Sequence, residues 1–281
     1  MPLPTFDRIA LVVAHPDDEI LWFSSIVSRA ARVVVCYLDV PGRTDWTTGR
    51  RHAATEYPLS NWTFLGLTES VVFAGADWKV PVTTEYGIEV QRRPGTLPEF
   101  DAGRYRENYH LLCARLGELL SGYDAVVTHN PWGDYGNEEH VQVYRAVTTV
   151  QKALGYDVWY TNYCSNRSYA LMLRETAGFR SIYETLPTEP TVAAGIEAVY
   201  RRYGCWTWPF DDYVHFSHES FIRSGAGIGD GSGAGSTCPL NFIQVRESTQ
   251  AQSTVPKWRR LARVSKQRVK TLLRVHRRSQ S

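Results

Sequence analysis

Long apolar runs are missing from this 281-residue sequence. The one near the start, Ile9 to Ala14, is followed at once by His15 and three acids, too short for a signal-peptide core or a membrane span. Neither export nor integral membrane insertion is expected. Paired cysteines are missing too: Cys36, Cys113, Cys164, Cys205 and Cys238 are odd in number and show no Cys-x-x-Cys spacing. That pattern speaks against a disulfide framework or a cysteine zinc site and suits a reducing compartment, so a cytoplasmic protein is expected. No Gly-x-Ser-x-Gly elbow announces a serine nucleophile, and no internal repeat or known RNA- or DNA-binding motif appears. Acids are absent from the stretch 257–281, which holds ten lysines and arginines. Of 31 basic residues this leaves 21 to set against 29 acids in the body, which is therefore acidic while the tail is basic. Such segregation means that tail and body face different partners, or each other.

What is present is globular: 43% hydrophobic and 21% charged residues exclude global disorder. Residues 8 to 15 read as a buried parallel strand, rich in β-branched residues and followed by a turn and an apolar helical stretch over about 18–31. Further strands are predicted at 32–39, 62–67, 123–128 and 158–163, and helices near 49–57, over 104–120 and over 138–154. An irregular insertion to about residue 98, carrying Pro81, Gly87, Pro94 and Pro98, reads as a surface hairpin or loop. This alternation predicts an α/β fold, Rossmann-like, with a largely parallel sheet and helices on both faces. One domain over 1–256 is expected, its chemistry within 8–165. An aromatic and glycine-rich region follows over 165–240, including Trp206, Trp208, Phe210 and Tyr213, and then the basic tail 257–281. The glycine run Ser224 to Ser236 is a loop, read either as a lid or as a plain linker.

Two constellations carry chemistry. His15-Pro16-Asp17-Asp18-Glu19 stands where the first strand ends, the position at which open parallel sheets form ligand sites. Pro16 keeps His15 out of helical geometry, and adjacent turn residues point apart, so one aspartate can bind a metal while its neighbour stands beside a reacting water. The bland alternative is that an aspartate only caps the helix. The second constellation, His129-Asn130-Pro131-Trp132-Gly133-Asp134-Tyr135-Gly136-Asn137-Glu138-Glu139-His140, follows another strand. His140 heads a helical stripe of Val143, Tyr144, Val147, Val150 and Leu154, which makes it either a packed core residue or a ligand aimed into the crevice.

At these residues the sequence resembles the LmbE-like family of metal-dependent de-N-acetylases, which includes the N-acetylglucosaminyl-phosphatidylinositol (PIG-L) deacetylase. Ala14-His15-Pro16-Asp17-Asp18-Glu19 matches the family's first motif in full, and the likeness weakens over about residues 8 to 165. The resemblance implies a Rossmann-like hydrolase with His15, Asp18 and His140 as zinc ligands and Asp17 as general base, acting on an N-acyl, chiefly N-acetyl, sugar-like small molecule. Iron(II) and cobalt(II) suit such ligands as well. The second motif departs from the family: Asn137-Glu138-Glu139-His140 stands where His-Pro-Asp-His is usual. Glu139 is expected to orient the histidine beside it, and Asn137 can donate a hydrogen bond to an oxyanion but cannot deliver a proton. Arg50 and Arg51 follow the second strand, where the family tends to carry a substrate-contacting arginine; a solvated helix start is the alternative. The aromatic cluster Trp206 to Tyr213 either stacks on a sugar ring or fills a core. Hydrolysis of another kind of amide, and binding to nucleic acid or a membrane through the tail, complete the readings. The acidic body argues against nucleic acid, whereas residues 257–278 form a basic amphipathic pattern suited to peripheral membrane contact.

Overall fold

Residues 6–175, 182–208, 213–225 and 238–245 are described by the computed structural model. The stretch 226–237, which holds most of the glycine run, Phe210, and the tail 257–281 lie outside the described residues.

Strand β1, Ile9–Val13, is buried along its whole length because both of its faces are covered. Period-two alternation sends Ala10 and Val12 into one core and Ile9, Leu11 and Val13 into another. The first core is roofed by α3 (Ala102–Leu119), through Leu112 and Leu116, and by α4 (Glu138–Leu154), through Val143 and Val147. The second is roofed by α1 (Asp18–Leu21) and the turns after it, with Ile20, Phe23 and Ile26, and by α6 (Pro190–Arg202), with Ala193, Ile196 and Tyr200. Helices therefore cover both faces, and a continuously apolar strand is the sequence consequence.

Strand β1 pairs in parallel with β2 (Arg32–Asp39) on one side and with β6 (Ala125–Thr128) on the other. Strand β2 continues to β3 (Trp62–Thr68), and β6 to β7 (Asp157–Thr161), both in parallel. Strands β10 (His218–Arg223) and β9 (Tyr183–Pro187) close the sheet antiparallel, giving the order β3-β2-β1-β6-β7-β10-β9. The fold is α/β and Rossmann-like, with a mostly parallel sheet. From β1 the chain builds outward first through β2 and β3 and then, on the other side, through β6 and β7. The crevice between the C-terminal ends of β1 and β6 is thus the topological switch point.

The insertion after β3 is a hairpin of β4 (Ala76–Thr84) and β5 (Gly87–Arg92), with an irregular register between Asp77 and Val82 around Pro81. Helix α2 covers Thr44–Thr55, starting before the predicted 49–57. Strand β8 (Tyr163–Ser165) pairs with β11 (Asn241–Ile243), and α5 is Tyr169–Glu175.

One expected element is broken. The helical stretch over 18–31 ends at Leu21 and resumes only as turns. The backbone N–H groups of Ser24 and Ser25, which a continuous helix would donate to preceding carbonyls, go instead to the Glu219 carboxylate at 3.1 and 3.0 Å. Both serine hydroxyls donate to it as well. A buried carboxylate from β10 outcompetes the helix ladder.

Candidate metal and active site

The two β-strand ends at the switch point deliver the two histidine-bearing constellations face to face. After β1 the chain turns at Asp17, whose φ of 99° is left-handed, an unusual conformation for a residue with a side chain. Asp17 precedes α1 in the N-cap position, yet its side chain makes no capping bond; it is free for other work. Its backbone N–H donates to Glu19 Oε2 at 3.0 Å. Glu19 Oε1 in turn accepts from the hydroxyls of Tyr200 at 2.7 Å and Tyr57 at 3.3 Å. Burial pushes the Glu19 carboxyl up to about 8 against the Tyr200 hydrogen bond.

After β6, Asn137 caps α4 by accepting from the Glu139 N–H at 2.9 Å. Gly133, at φ 71°, lets the preceding loop fold tightly onto that cap, where a Cβ would collide with the Asn137 carbonyl. His140 is thereby set in the first turn of α4, with no surface exposed to solvent. Val143, Tyr144, Val147 and Val150 behind it are buried, whereas Leu154 at the helix end is 36% exposed.

Each histidine is oriented from behind by a buried carboxylate. His140 Nδ1 lies 2.8 Å from Asp134 Oδ2, and His15 Nε2 lies 2.9 Å from Glu139 Oε2. With those ring N–H groups donated, the remaining lone pairs, on His140 Nε2 and His15 Nδ1, both face Asp18 Oδ2 at 3.2 Å. His140 Nε2 is buried and has no hydrogen-bond partner among the described residues. Two lone pairs converging on a carboxylate oxygen require positive charge among them, and the ligating atoms of His15, Asp18 and His140 all lie within 4.8 Å of one another. Two histidine nitrogens and a carboxylate oxygen, with far-side carboxylates fixing each ring, fit a divalent metal.

Among the described residues two other groupings of ligand atoms lie within the same distance, His129 with Asp134 and His140, and His15 with Glu69 and Glu139. Their atoms are already engaged. His129 Nε2 accepts the Ala14 N–H at 2.8 Å, so its proton sits on Nδ1 and is donated to Asp134 at 2.6 Å. Glu69 accepts from Arg50 Nη1 at 2.5 Å, and Glu139 Oε1 accepts the Ser70 N–H at 2.6 Å.

The electrostatics follow from this crowding. Burial alone would raise the Asp18 carboxyl, but the pull of His140, His129 and His15 holds it well below the usual carboxylate range. Burial would lower His15, and its bonds to Asp18 and Glu139 outweigh that and raise it well above the ordinary imidazole value. Asp17 is pushed up to about 7 by burial and by the neighbouring Asp18 charge, against a hydrogen bond from Thr207.

All seven candidate residues lie in this region. His15, Asp18 and His140 share one focus, and Asp17 sits beside it. Glu139 contacts His15, across the site, rather than its helix neighbour His140. Asn137 spends its carbonyl oxygen on the cap and turns its amide toward the Tyr135 hydroxyl at 3.3 Å. Arg50 is no solvated helix start: it is 2% exposed and bound to Glu69, while Arg51 is exposed and pairs with Asp39. The aromatic stretch does gather here. Trp208 meets Trp22 and Tyr135 edge-on at 5.5 and 5.9 Å, and Trp22 stacks on Tyr135 at 5.3 Å. Two contributors escaped the sequence reading. Asp134 lay within the quoted segment, an acid between two glycines and two histidines, but spacing does not reveal which way the turn aims it. Thr207 had no signal at all.

No family model and no curated protein matches the chain. Among solved structures, a teicoplanin-pathway deacetylase in a complex covers 77% of this chain and 97% of its own, at 11% identity and TM-score 0.46. The zinc-inhibited form of the teicoplanin deacetylase Orf2 aligns over 77% and 97%, at 12% identity and TM-score 0.45. The A40926 pseudoaglycone deacetylase Dbv21 aligns over 77% and 96%, at 13% identity and TM-score 0.44. Likeness at this level says nothing of the activity of this chain.

Proposed function

We propose that the chain is a zinc-dependent amidohydrolase that removes an N-acyl group, in the simplest case acetyl, from the amine of an amino sugar, free or carried on a metabolite or glycolipid. The observation that carries this reading is the pair of buried histidines, each with its far N–H held by a carboxylate and its near lone pair turned on Asp18, with Asp17 alongside but outside the set. His15, Asp18 and His140 would hold the metal through two nitrogens and one carboxylate oxygen, a donor set of catalytic rather than structural centres. A divalent metal held there would supply a water made acidic, with a pKa toward ~7, and polarisation of a carbonyl oxygen. Asp17 Oδ2 is engaged by Thr207, so Oδ1 is the oxygen left to take a proton from the attacking water. As the carbon–oxygen bond forms and the carbon–nitrogen bond breaks, Asp17 returns that proton to the leaving amine. Tyr135, edge-on to His140, and Trp208, edge-on to Tyr135, are half-buried and offer aromatic surface for a sugar ring, whereas Trp22 is wholly buried behind them. The sugar substrate class rests on the resemblance of Ala14 to Glu19.

Zinc-loaded protein given a panel of N-acetylated glycans and glycosides should release acetate, and a strong chelator should stop it. His15→Ala, Asp18→Ala and His140→Ala should each lower metal content, since three protein ligands are the minimum of such a centre. Full metal occupancy in all three variants would overturn the assignment.

A further inference from the structure

We propose that Thr207, contributed by the segment after α6, is a positioning residue that holds the Asp17 carboxylate in its working orientation; this rests on the hydrolase reading above. Both donors of Thr207 reach one oxygen of Asp17: the backbone N–H lies 3.3 Å from Oδ2, and the hydroxyl donates to the same atom. Two bonds to Oδ2 fix the rotation of the carboxylate and direct Oδ1 away from Thr207. On its other side the Asp17 main chain is held in its left-handed conformation by Glu19, which accepts its N–H. Asp17 is thus gripped at the backbone by its own turn and at the side chain by a residue 190 positions away.

The support behind Thr207 is itself anchored. Cys205 is buried, its N–H bonds the Tyr200 carbonyl at 3.0 Å, and it packs on Gly49 of α2, where an added Cβ would meet it at 3.0 Å. On the other flank, the Trp208 ring lies against Trp22 and Tyr135. A half-buried threonine held between two packed neighbours can present its hydroxyl in a constant direction, as a positioning residue must.

Thr207→Val keeps the shape and removes the hydroxyl, whereas Thr207→Ser keeps the hydroxyl. In crystals of the zinc-loaded full-length protein, Asp17 should turn from its present orientation in the valine variant and keep it in the serine variant. With an acetylated substrate, the valine variant should lose kcat by about tenfold or more, short of the ~100-fold that a 1 Å misplacement can cost. KM and metal content should stay near wild type, and serine should restore most of the rate. Asp17 unmoved together with wild-type kcat in the valine variant overturns the proposal; so does a loss that serine fails to restore, or one that appears only as lost metal or a lowered Tm. Should the valine variant not fold, Thr207→Ala read in the same way decides. If wild-type protein holds metal yet releases no acid from any substrate, the hydrolase reading falls, while the orientation of Asp17 in the variants still settles whether Thr207 holds it.

Discussion

At Asp17 a left-handed backbone and a buried carboxylate occur together, and although the Asp17 carbonyl accepts the first N–H groups of the helix, its carboxylate makes no capping bond. A group positioned so for proton transfer should be separable from metal binding. Asp17→Asn is expected to keep its metal and lose turnover by ~100-fold or more, because an amide cannot accept the proton of water; metal analysis beside acetate release checks it. Asn137→Ala should cost turnover less, since the amide contributes at most one hydrogen bond to the developing oxyanion, and should lower stability by about 1 kcal/mol through loss of the α4 cap. If the effect falls on KM alone, Asn137 serves substrate recognition instead. Asp134 makes a sharper case. Its Oδ2 receives His129 and His140, and its Oδ1 receives Asn130 and Thr161. An asparagine at this position would turn an NH2 donor against one of those donor pairs, so Asp134→Asn should weaken metal affinity by about 10- to 100-fold, measured by competition with a chromophoric chelator. His15, Asp17, Asp18 and His140 were legible because each lies in a short segment at a strand end. Asp134 and Thr207 were not, because what they do depends on directions in space that spacing along the chain does not encode.

Among the elements, the interruption after α1 shows how a distant charge rewrites local structure. Apolar periodicity over residues 18–31 supports a helix, yet Glu219 takes the N–H groups of Ser24 and Ser25. Glu219→Gln offers an NH2 where one of these donors needs an acceptor. The main-chain N–H, unlike a hydroxyl, cannot rotate away. The variant should therefore lose about 1–3 kcal/mol of stability, the cost of a buried unsatisfied donor, as denaturant unfolding would show; unchanged stability would mean that the turn relaxes without it. Strands β9 and β10 escaped the sequence reading for a related reason. Glu219 is wholly buried in β10, which spoils an apolar alternation, and β9 is a partly exposed edge strand ending in Pro187. Strands β1, β2, β6 and β7 and helices α3 and α4 were readable because their burial is regular, apolar on both faces for the inner strands and at helical spacing for the helices.

Over the whole molecule, the division of charge remains the feature that the catalytic reading does not use. Trp258, Leu261, Ser265, Val269, Leu272 and His276 share one face at helical spacing in the sequence, with most of the ten cations around them. Each cation near an anionic bilayer contributes about 1 kcal/mol. The full-length protein is therefore expected to sediment with anionic vesicles at low salt and to be released at high salt. A version ending at Pro256 should remain in the supernatant and still hydrolyse a soluble substrate. Equal sedimentation of the two would end the membrane expectation. The sequence by itself determined the alternation of strands and helices, the crevice at which the motifs meet, and the choice of His15, Asp18 and His140 as the candidate ligand set, because periodicity and motif are properties of neighbouring residues. Only the tertiary structure decided that Glu139 orients His15 rather than His140, that Glu219 cuts the first helix, and that Thr207 holds Asp17. Those contacts join side chains more than a hundred residues apart, and their geometry exists only once the two faces of the sheet are packed.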